Sequence, residues 1–154
     1  EKIDSLEKYD AVFLNGNNKN LDNIILQIRK QNNDIKIFEC TYELVNLDLL
    51  SKNNKYLAFA GIGILKNFYN SLINNGLDIV KFLEYPDHYV YSDKNMKEII
   101  DIATSLNAKI ITTEKDYLRL EEYNSKYKKD IEFIKMNLKI KNENALIDYL
   151  KINI

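Results

Sequence analysis

"KYLAFAGIG", residues 55–63, joins an apolar run to two closely spaced glycines. Its first six residues are almost wholly apolar, which is typical of a strand buried on both faces of a sheet. Gly61 and Gly63 then favour a tight turn. Apolar residues at helical spacing follow the turn, and they are Ile64, Leu65, Phe68, Tyr69, Leu72 and Ile73. A strand, a tight turn and a helix are therefore predicted one directly after the other.

The same alternation continues towards the carboxyl terminus. Further strands are predicted at residues 78–85, 108–113 and 131–140, and further helices after Ser92, at 114–123 and at 143–150. Pro86 ends the first of these strands, because a proline keeps the residue before it out of helical geometry. Strands that alternate with helices imply right-handed crossovers. The predicted fold class is α/β, a mostly parallel sheet with helices on both faces.

The amino-terminal third is less regular. Residues 9–15 predict a short strand that ends in a turn at Asn15-Gly16, and residues 21–30 predict an amphipathic helix. Residues 34–47, "DIKIFECTYELVNL", alternate polar with apolar positions and lack a helical period. That pattern is typical of an exposed-edge strand or a two-stranded ribbon. We expect a ribbon here to interrupt the strand-helix alternation.

The composition sets limits on function. The 154 residues, 45% of them hydrophobic, are enough for one compact domain. Lys and Arg number 22 and Asp and Glu 23, so the basic excess of a nucleic-acid surface is missing and no nucleic-acid partner is expected. Cys40 is the only cysteine, which excludes an internal disulfide and a Cys-rich zinc site and predicts a small buried side chain. The chain begins at Glu1 without an initiator methionine, which we take as a sign of a longer protein.

Three strand-to-helix turns are the candidate site, because ligands of open α/β sheets bind at the carboxyl ends of the strands. The turns are "AGIG" at 60–63, "PDHYVY" at 86–91 and "TTEKD" at 112–116. If their strands run parallel, all three turns lie at one edge of the sheet. We therefore expect them to form one site.

Gly61 and Gly63 have two interpretations. Neither carries a Cβ, so their backbone N–H groups could approach an anion at the start of the following helix. Position 66 is Lys, however, where a dinucleotide fingerprint has its third glycine, so a simple tight turn explains the pattern equally.

The "TTEKD" segment, residues 112–116, also has two interpretations. Thr113 and Asp116 have the spacing of a capping box, which is a structural role. Alternatively, Glu114, Lys115 and Asp116 would be exposed at the edge of the site, with Lys115 holding a phosphate.

His88 is the only histidine and the only side chain that ordinarily gains or loses a proton near pH 7. It is therefore the natural candidate for a general base. Asp87, or a carboxylate from elsewhere, would orient its ring. The competing interpretation is a surface histidine without a role, and the neighbouring Tyr85, Tyr89 and Tyr91 are either loop anchors or stacking platforms.

The chain has no phosphate loop, no G-x-S-x-G elbow and no second histidine or cysteine for a metal site, so no self-sufficient catalytic set is visible.

Read in order, "YLAFAGIG", "PDHYVY" and "AKIITTEKDYLRL" resemble the carboxyl-terminal half of the tetraacyldisaccharide 4'-kinase (lipid A 4'-kinase) family. That family carries an A-G-I-G turn, a P-D-H-x-x-[YF] turn and a T-T-E-K-D segment at similar separations. The opening "LEKYDAVFLNG", residues 6–16, resembles the run that follows the family's nucleotide-binding half.

The resemblance implies a kinase that transfers the γ-phosphate of ATP, with Mg²⁺, to the 4'-hydroxyl of tetraacyldisaccharide 1-phosphate and forms lipid IVA. It places the enzyme at the cytoplasmic face of the inner membrane of Gram-negative bacteria. ATP and Mg²⁺ would be bound mainly by an amino-terminal P-loop domain that this chain lacks, so the chain alone is expected to be inactive. His88 would pair with an aspartate of that domain in a base dyad.

The resemblance also divides the chain. Residues 1–33 would end the nucleotide-binding domain, 34–54 would form the ribbon or linker, and 55–154 would form a carboxyl-terminal α/β domain. The alternative from another functional class is a Rossmann-like module that binds a nucleotide or sugar phosphate without its own catalysis.

Overall fold

The computed structural model describes residues 3–15, 21–63, 65–123 and 125–153; Gly16 and Ile64, used in the predictions above, lie outside these ranges. The strands are β1 Ala11–Asn15, β2 Lys36–Leu44, β3 Lys55–Ala60, β4 Asp78–Glu84, β5 Lys109–Thr113, β6 Ile131–Ile134 and β7 Met136–Ile140. The helices are α1 Leu21–Gln31, α2 Leu65–Asn74, α3 Asp93–Ser105, α4 Glu114–Tyr123 and α5 Glu143–Asn153. Short 3-10 helices cover Ile3–Lys8, Leu47–Leu49 and Ser125–Asp130.

The chain divides into two compact units. One consists of residues 44–136, and the other combines residues 1–43 with residues 137–154. The second unit is discontinuous, so its two parts are not recognisable from order along the chain. The assignment of residues 1–33 to the end of a nucleotide-binding domain stays a prediction.

The unit of residues 44–136 confirms the predicted α/β class. Its four strands pair in the order β4-β3-β5-β6, and every neighbouring pair is parallel. Strand β3 lies inside the sheet, and its side chains from Tyr56 to Ala60 are all 0% exposed. This is why its sequence is a continuous apolar run and does not alternate.

Helices cover both faces of this sheet, as predicted. Tyr56, Ala58 and Ala60 pack on one face in a cluster with Phe68 and Leu72 of α2. Leu57 and Phe59 belong to the opposite cluster, whose helical members Met96, Ile99, Ala103 and Leu120 come from α3 and α4. Each large apolar side chain buried in this way stabilises the fold by roughly 1.5–3 kcal/mol.

The segment 34–47 differs from the expected two-stranded ribbon. It contains one nine-residue strand, β2, which lies between β1 and β7 in a three-stranded sheet. Phe38 and Cys40 on this strand are buried, whereas Glu39 and Glu43 bind Lys141 and Lys139. One covered face and one charged face produce the same alternation as an edge strand, and this explains the difference.

Residues 131–140 also differ from prediction, because they form two strands in different sheets and not one. Lys135 separates β6 from β7. The Asn46 side chain fixes this break: its Nδ2 donates to the Phe133 carbonyl at 2.8 Å, and its Oδ1 accepts from the Lys135 amide at 2.8 Å. A contact between residues so far apart in sequence is not visible in the local pattern.

Among the helices within the described residues, none combines the length and the apolar character needed to cross a membrane.

Candidate functional site

The turns after β3, β4 and β5 meet at the carboxyl edge of the parallel sheet. The chain runs from β3 to β4 on one side of β3 and then crosses to β5 on its other side. This reversal of strand order is the topological switch point at which open α/β sheets bind ligands. The turn after β3 is therefore flanked by the other two, as the sequence predicted for parallel strands.

Asp116 joins the turn after β3 to the start of α4. Its side chain is 0% exposed, and its Oδ2 accepts a hydrogen bond from the Gly61 amide at 3.1 Å and from the Thr113 hydroxyl at 2.7 Å. The Asp116 amide donates in return to Thr113 Oγ1 at 3.1 Å, which is the predicted N-cap bond. A buried carboxylate needs such donors, because burying it without them is costly.

Gly61 and Gly63 have different surroundings. The Gly61 amide is already bonded to an anion, the Asp116 carboxylate. A Cβ on Gly61 would lie 3.0 Å from the Pro86 carbonyl oxygen and 3.1 Å from the Tyr91 hydroxyl, so the turn after β4 leaves no room for a side chain. A Cβ on Gly63 would meet Asp87 Oδ2 only at 3.5 Å, an ordinary contact distance.

His88 occupies a left-handed backbone conformation, with a φ of 61°. Its amide donates to the Gly61 carbonyl at 3.1 Å, which holds this turn against the turn after β3, and to Asp87 Oδ1 at 3.0 Å within its own turn. The imidazole is 71% exposed, and its Nε2 lies 3.8 Å from Asp87 Oδ2. The His88 backbone is therefore held in place, while most of its ring is accessible to a partner.

The tyrosines of this turn form a packed group. The ring centroids of Tyr85, Tyr89 and Tyr91 are 4.8–5.3 Å apart, and Tyr91 packs edge-on against Phe59 at 5.1 Å. Tyr91 is 3% exposed, and burial together with the nearby Asp116 charge raises the pKa of its hydroxyl above the ordinary value. Tyr91 thus serves as a neutral anchor beneath the turn.

The predicted cap on α3 fixes the far end of the same turn. Ser92 Oγ accepts from the Asn95 amide at 3.2 Å, and the Ser92 amide donates to Asn95 Oδ1 at 3.0 Å, which completes a capping box. The Tyr89 hydroxyl donates to the same Asn95 oxygen at 3.2 Å.

Arg119, on α4, contacts all three turns and was not predicted. Its Nη1 donates to the Gly61 carbonyl at 3.0 Å and to Asp116 Oδ1 at 3.1 Å, and its Nη2 lies 3.0 Å from His88 Nδ1. Two sequence signals point to it. It follows Asp116 by three residues, which places both on one helical face, and it is one of two arginines in a chain with 20 lysines.

Glu114 and Lys115 do not join this cluster. Glu114 Oε1 pairs with Lys135 Nζ at 3.1 Å, and Lys115 is exposed on the surface of α4. Of the residues predicted for the site, the structure brings together Gly61, Gly63, Asp87, His88 and Asp116.

The cluster does not fit a magnesium ion. Within the described ranges, no three of the His, Cys, Asp and Glu side chains are grouped so that they could hold a metal. Both Asp116 oxygens are occupied, one by Gly61 and Thr113 and the other by Arg119. What the arrangement does offer is an exposed imidazole, held by two neighbouring turns, that exchanges a proton or a hydrogen bond with a group brought to it.

Comparison with known proteins gives consistent results. The family profile described as Tetraacyldisaccharide-1-P 4'-kinase matches residues 1–154. The tetraacyldisaccharide 4'-kinase of Pelagibacter ubique (strain HTCC1062) is 48% identical over 154 residues, which cover 99% of this chain and 48% of that protein. The protein of the same name from Rickettsia bellii (strain OSU 85-389) is 35% identical over 116 residues, which cover 75% of this chain and 34% of that protein.

A solved structure shares the fold. The chain superposes on "apo" form LpxK from Aquifex aeolicus in complex with ATP with a TM-score of 0.59 and 22% sequence identity. The match covers 98% of this chain and 44% of that one. The chain spans about half the length, or less, of the relatives that it matches.

Proposed function

This chain belongs to the tetraacyldisaccharide 4'-kinase family, and on that premise we propose that it is the carboxyl-terminal part of a lipid A 4'-kinase. The complete enzyme would transfer the γ-phosphate of ATP to the 4'-hydroxyl of tetraacyldisaccharide 1-phosphate and form lipid IVA. The observation that carries this proposal is the meeting of the A-G-I-G, P-D-H and T-T-E-K-D turns around one exposed histidine. Residues far apart in sequence thus contribute to one place at the ligand-binding edge of the sheet.

We assign His88 to a dyad with an aspartate that lies outside this chain, in an amino-terminal P-loop domain. Asp87 is a poor substitute, because one of its oxygens bonds the His88 amide and the other is 3.8 Å from the ring. The dyad would help to remove the proton of the sugar hydroxyl. The His88 ring is 71% exposed, so it would be accessible to the partner aspartate.

ATP and Mg²⁺ belong to the same external domain in this proposal. Among the described residues, no three His, Cys, Asp or Glu side chains are grouped so that they could hold a metal, and the Gly61 amide is occupied by Asp116. The lipid substrate would reach the site from the cytoplasmic face of the inner membrane, where the complete enzyme would be attached by segments outside these residues.

A kinase assay tests the proposal. The complete gene product that contains this chain should phosphorylate tetraacyldisaccharide 1-phosphate with ATP, whereas the 154 residues alone should not, because they carry no phosphate loop. Incorporation of γ-³²P into the disaccharide measures both reactions. Activity of the isolated chain, or none from the complete product, would contradict the assignment.

A further inference from the structure

The contact between Arg119 and His88 determines where the proton of the histidine ring lies. Arg119 Nη2 is 3.0 Å from His88 Nδ1. A guanidinium group has hydrogen-bond donors and no acceptor, so Nδ1 must accept this bond. A neutral ring that accepts at Nδ1 carries its proton on Nε2.

We infer that Arg119 is a positioning residue that fixes His88 as the neutral Nε2–H tautomer, so that Nε2–H is the donor that meets an acceptor on a partner. The inference deepens the proposed function and rests on it for the catalytic meaning of the ring. The tautomer itself is independent of any reaction.

Arg119 is held firmly enough to impose this arrangement. Its side chain is only 22% exposed, and its Nη1 is anchored by the Gly61 carbonyl and by the fully buried Asp116. The planar guanidinium thus bonds three groups from two different nitrogens. A lysine has a single nitrogen on a flexible stem and does not reproduce that fork.

The other arginine has a similar structural use, in a different part of the chain. Arg29 Nη1 donates to the carbonyls of Asn33 and Ile35, at 2.6 Å each. Because this residue belongs to the other compact unit, Arg29→Lys is a matched control that removes a guanidinium without touching the His88 turn.

Nitrogen NMR tests the tautomer directly, because the chain has one histidine and ¹⁵N-labelled histidine therefore reports a single ring. At about pH 9, where an ordinary histidine is neutral, the folded chain should show Nδ1 as an unprotonated acceptor and Nε2 as protonated. In Arg119→Lys and Arg119→Gln the two ¹⁵N shifts should move towards each other as the tautomers mix. Arg29→Lys should leave them unchanged.

A protonated Nδ1 in the folded chain, or identical shifts in Arg119→Lys, would overturn the inference. Backbone amide spectra check that each variant is folded. Should the Arg119 variants unfold, the same chain in urea serves as the reference, since the unfolded ring is free of Arg119. Equal ring shifts in the folded and the unfolded chain would then be the contradicting result.

A second measurement uses the complete gene product. Arg119→Lys should lower kcat roughly ten- to a hundredfold, the cost of a slightly misplaced group, with little change in KM. In the double variant with His88→Ala it should cause no further loss, because a residue that acts through the ring has no effect once the ring is gone. Additive losses would show that Arg119 acts independently of the ring, which contradicts the inference. If the complete product is inactive throughout, the proposed function fails while the NMR result still decides the tautomer.

Discussion

His88 combines an exposed ring with a strained backbone. A φ of 61° costs a residue with a Cβ roughly 1–2 kcal/mol. Bonds from its amide to the Gly61 carbonyl and to Asp87 Oδ1 hold this conformation in place. Strain of this kind persists where the surroundings enforce it, and it is concentrated at functional sites.

Glycine and alanine variants of His88 test the backbone strain. His88→Gly and His88→Ala both remove the ring and its contact with Arg119, but only glycine accepts a positive φ freely. We expect the glycine variant to be more stable than the alanine variant by roughly 0.5–1 kcal/mol, the relief of strain less the extra chain entropy of glycine. Urea unfolding of the two variants measures the difference. Equal midpoints would show that the turn is not strained.

The two glycines after β3 differ in the space available for a side chain. Gly61→Ala should lower the free energy of unfolding by about 1–3 kcal/mol, because its Cβ would be forced to within 3.0 Å of the Pro86 carbonyl oxygen. Gly63→Ala should change it by less than about 0.5 kcal/mol, since its nearest neighbour is 3.5 Å away. Thermal unfolding of both variants tests this, and similar losses at the two positions would contradict it.

The start of α4 contains both a structural cap and a contact with the candidate site. Thr113 Oγ1 accepts from the Asp116 amide and donates to the carboxylate that also binds Gly61 and Arg119. The capping interpretation of the "TTEKD" segment is confirmed at Thr113 and Asp116, whereas Asp116 is buried and not exposed as the functional interpretation expected. The Asp116 amide makes the capping bond, and the Asp116 carboxylate accepts the bond from the neighbouring turn.

Thr113→Val keeps the shape of this cap and removes its hydroxyl. The Asp116 amide and carboxylate each lose a buried partner, so we expect a loss of about 1–2 kcal/mol in the free energy of unfolding. Thr113→Ser retains the hydroxyl and is the matched control. Denaturant unfolding of the pair decides, and a valine variant as stable as the serine variant would show that the cap contributes nothing.

The elements that the sequence predicted well are those with a strong local signal. The buried run of β3, Pro86 after β4 and Ser92 before α3 each determine structure within a few residues. The break at Lys135 depends on Asn46, and the central place of β2 depends on β1 and β7. Arg119 was not predicted because its partners Gly61 and His88 are distant in sequence and lie on other turns. Long-range partners leave no periodic trace in the sequence.

The topology of the parallel sheet explains why the three turns lie together. Strand β3 lies between β4 and β5, so three turns converge and leave the His88 ring exposed at their meeting point. Asp116 and Arg119, which hold the turns, are bonded to each other and to Gly61. The His88 ring, in contrast, is 71% exposed. In the proposed kinase this edge supplies the histidine, and the nucleotide and its metal come from the part of the enzyme outside this chain.

A role of His88 in phosphoryl transfer can be tested by the turnover of a His88→Ala variant of the complete gene product. With ATP and tetraacyldisaccharide 1-phosphate, kcat should fall by roughly ten- to ten-thousand-fold, the range expected for loss of an acid-base group. Arg29→Lys, in the other compact unit, should retain the parent rate. An unchanged kcat in a folded His88→Ala enzyme would show that His88 takes no part in phosphoryl transfer.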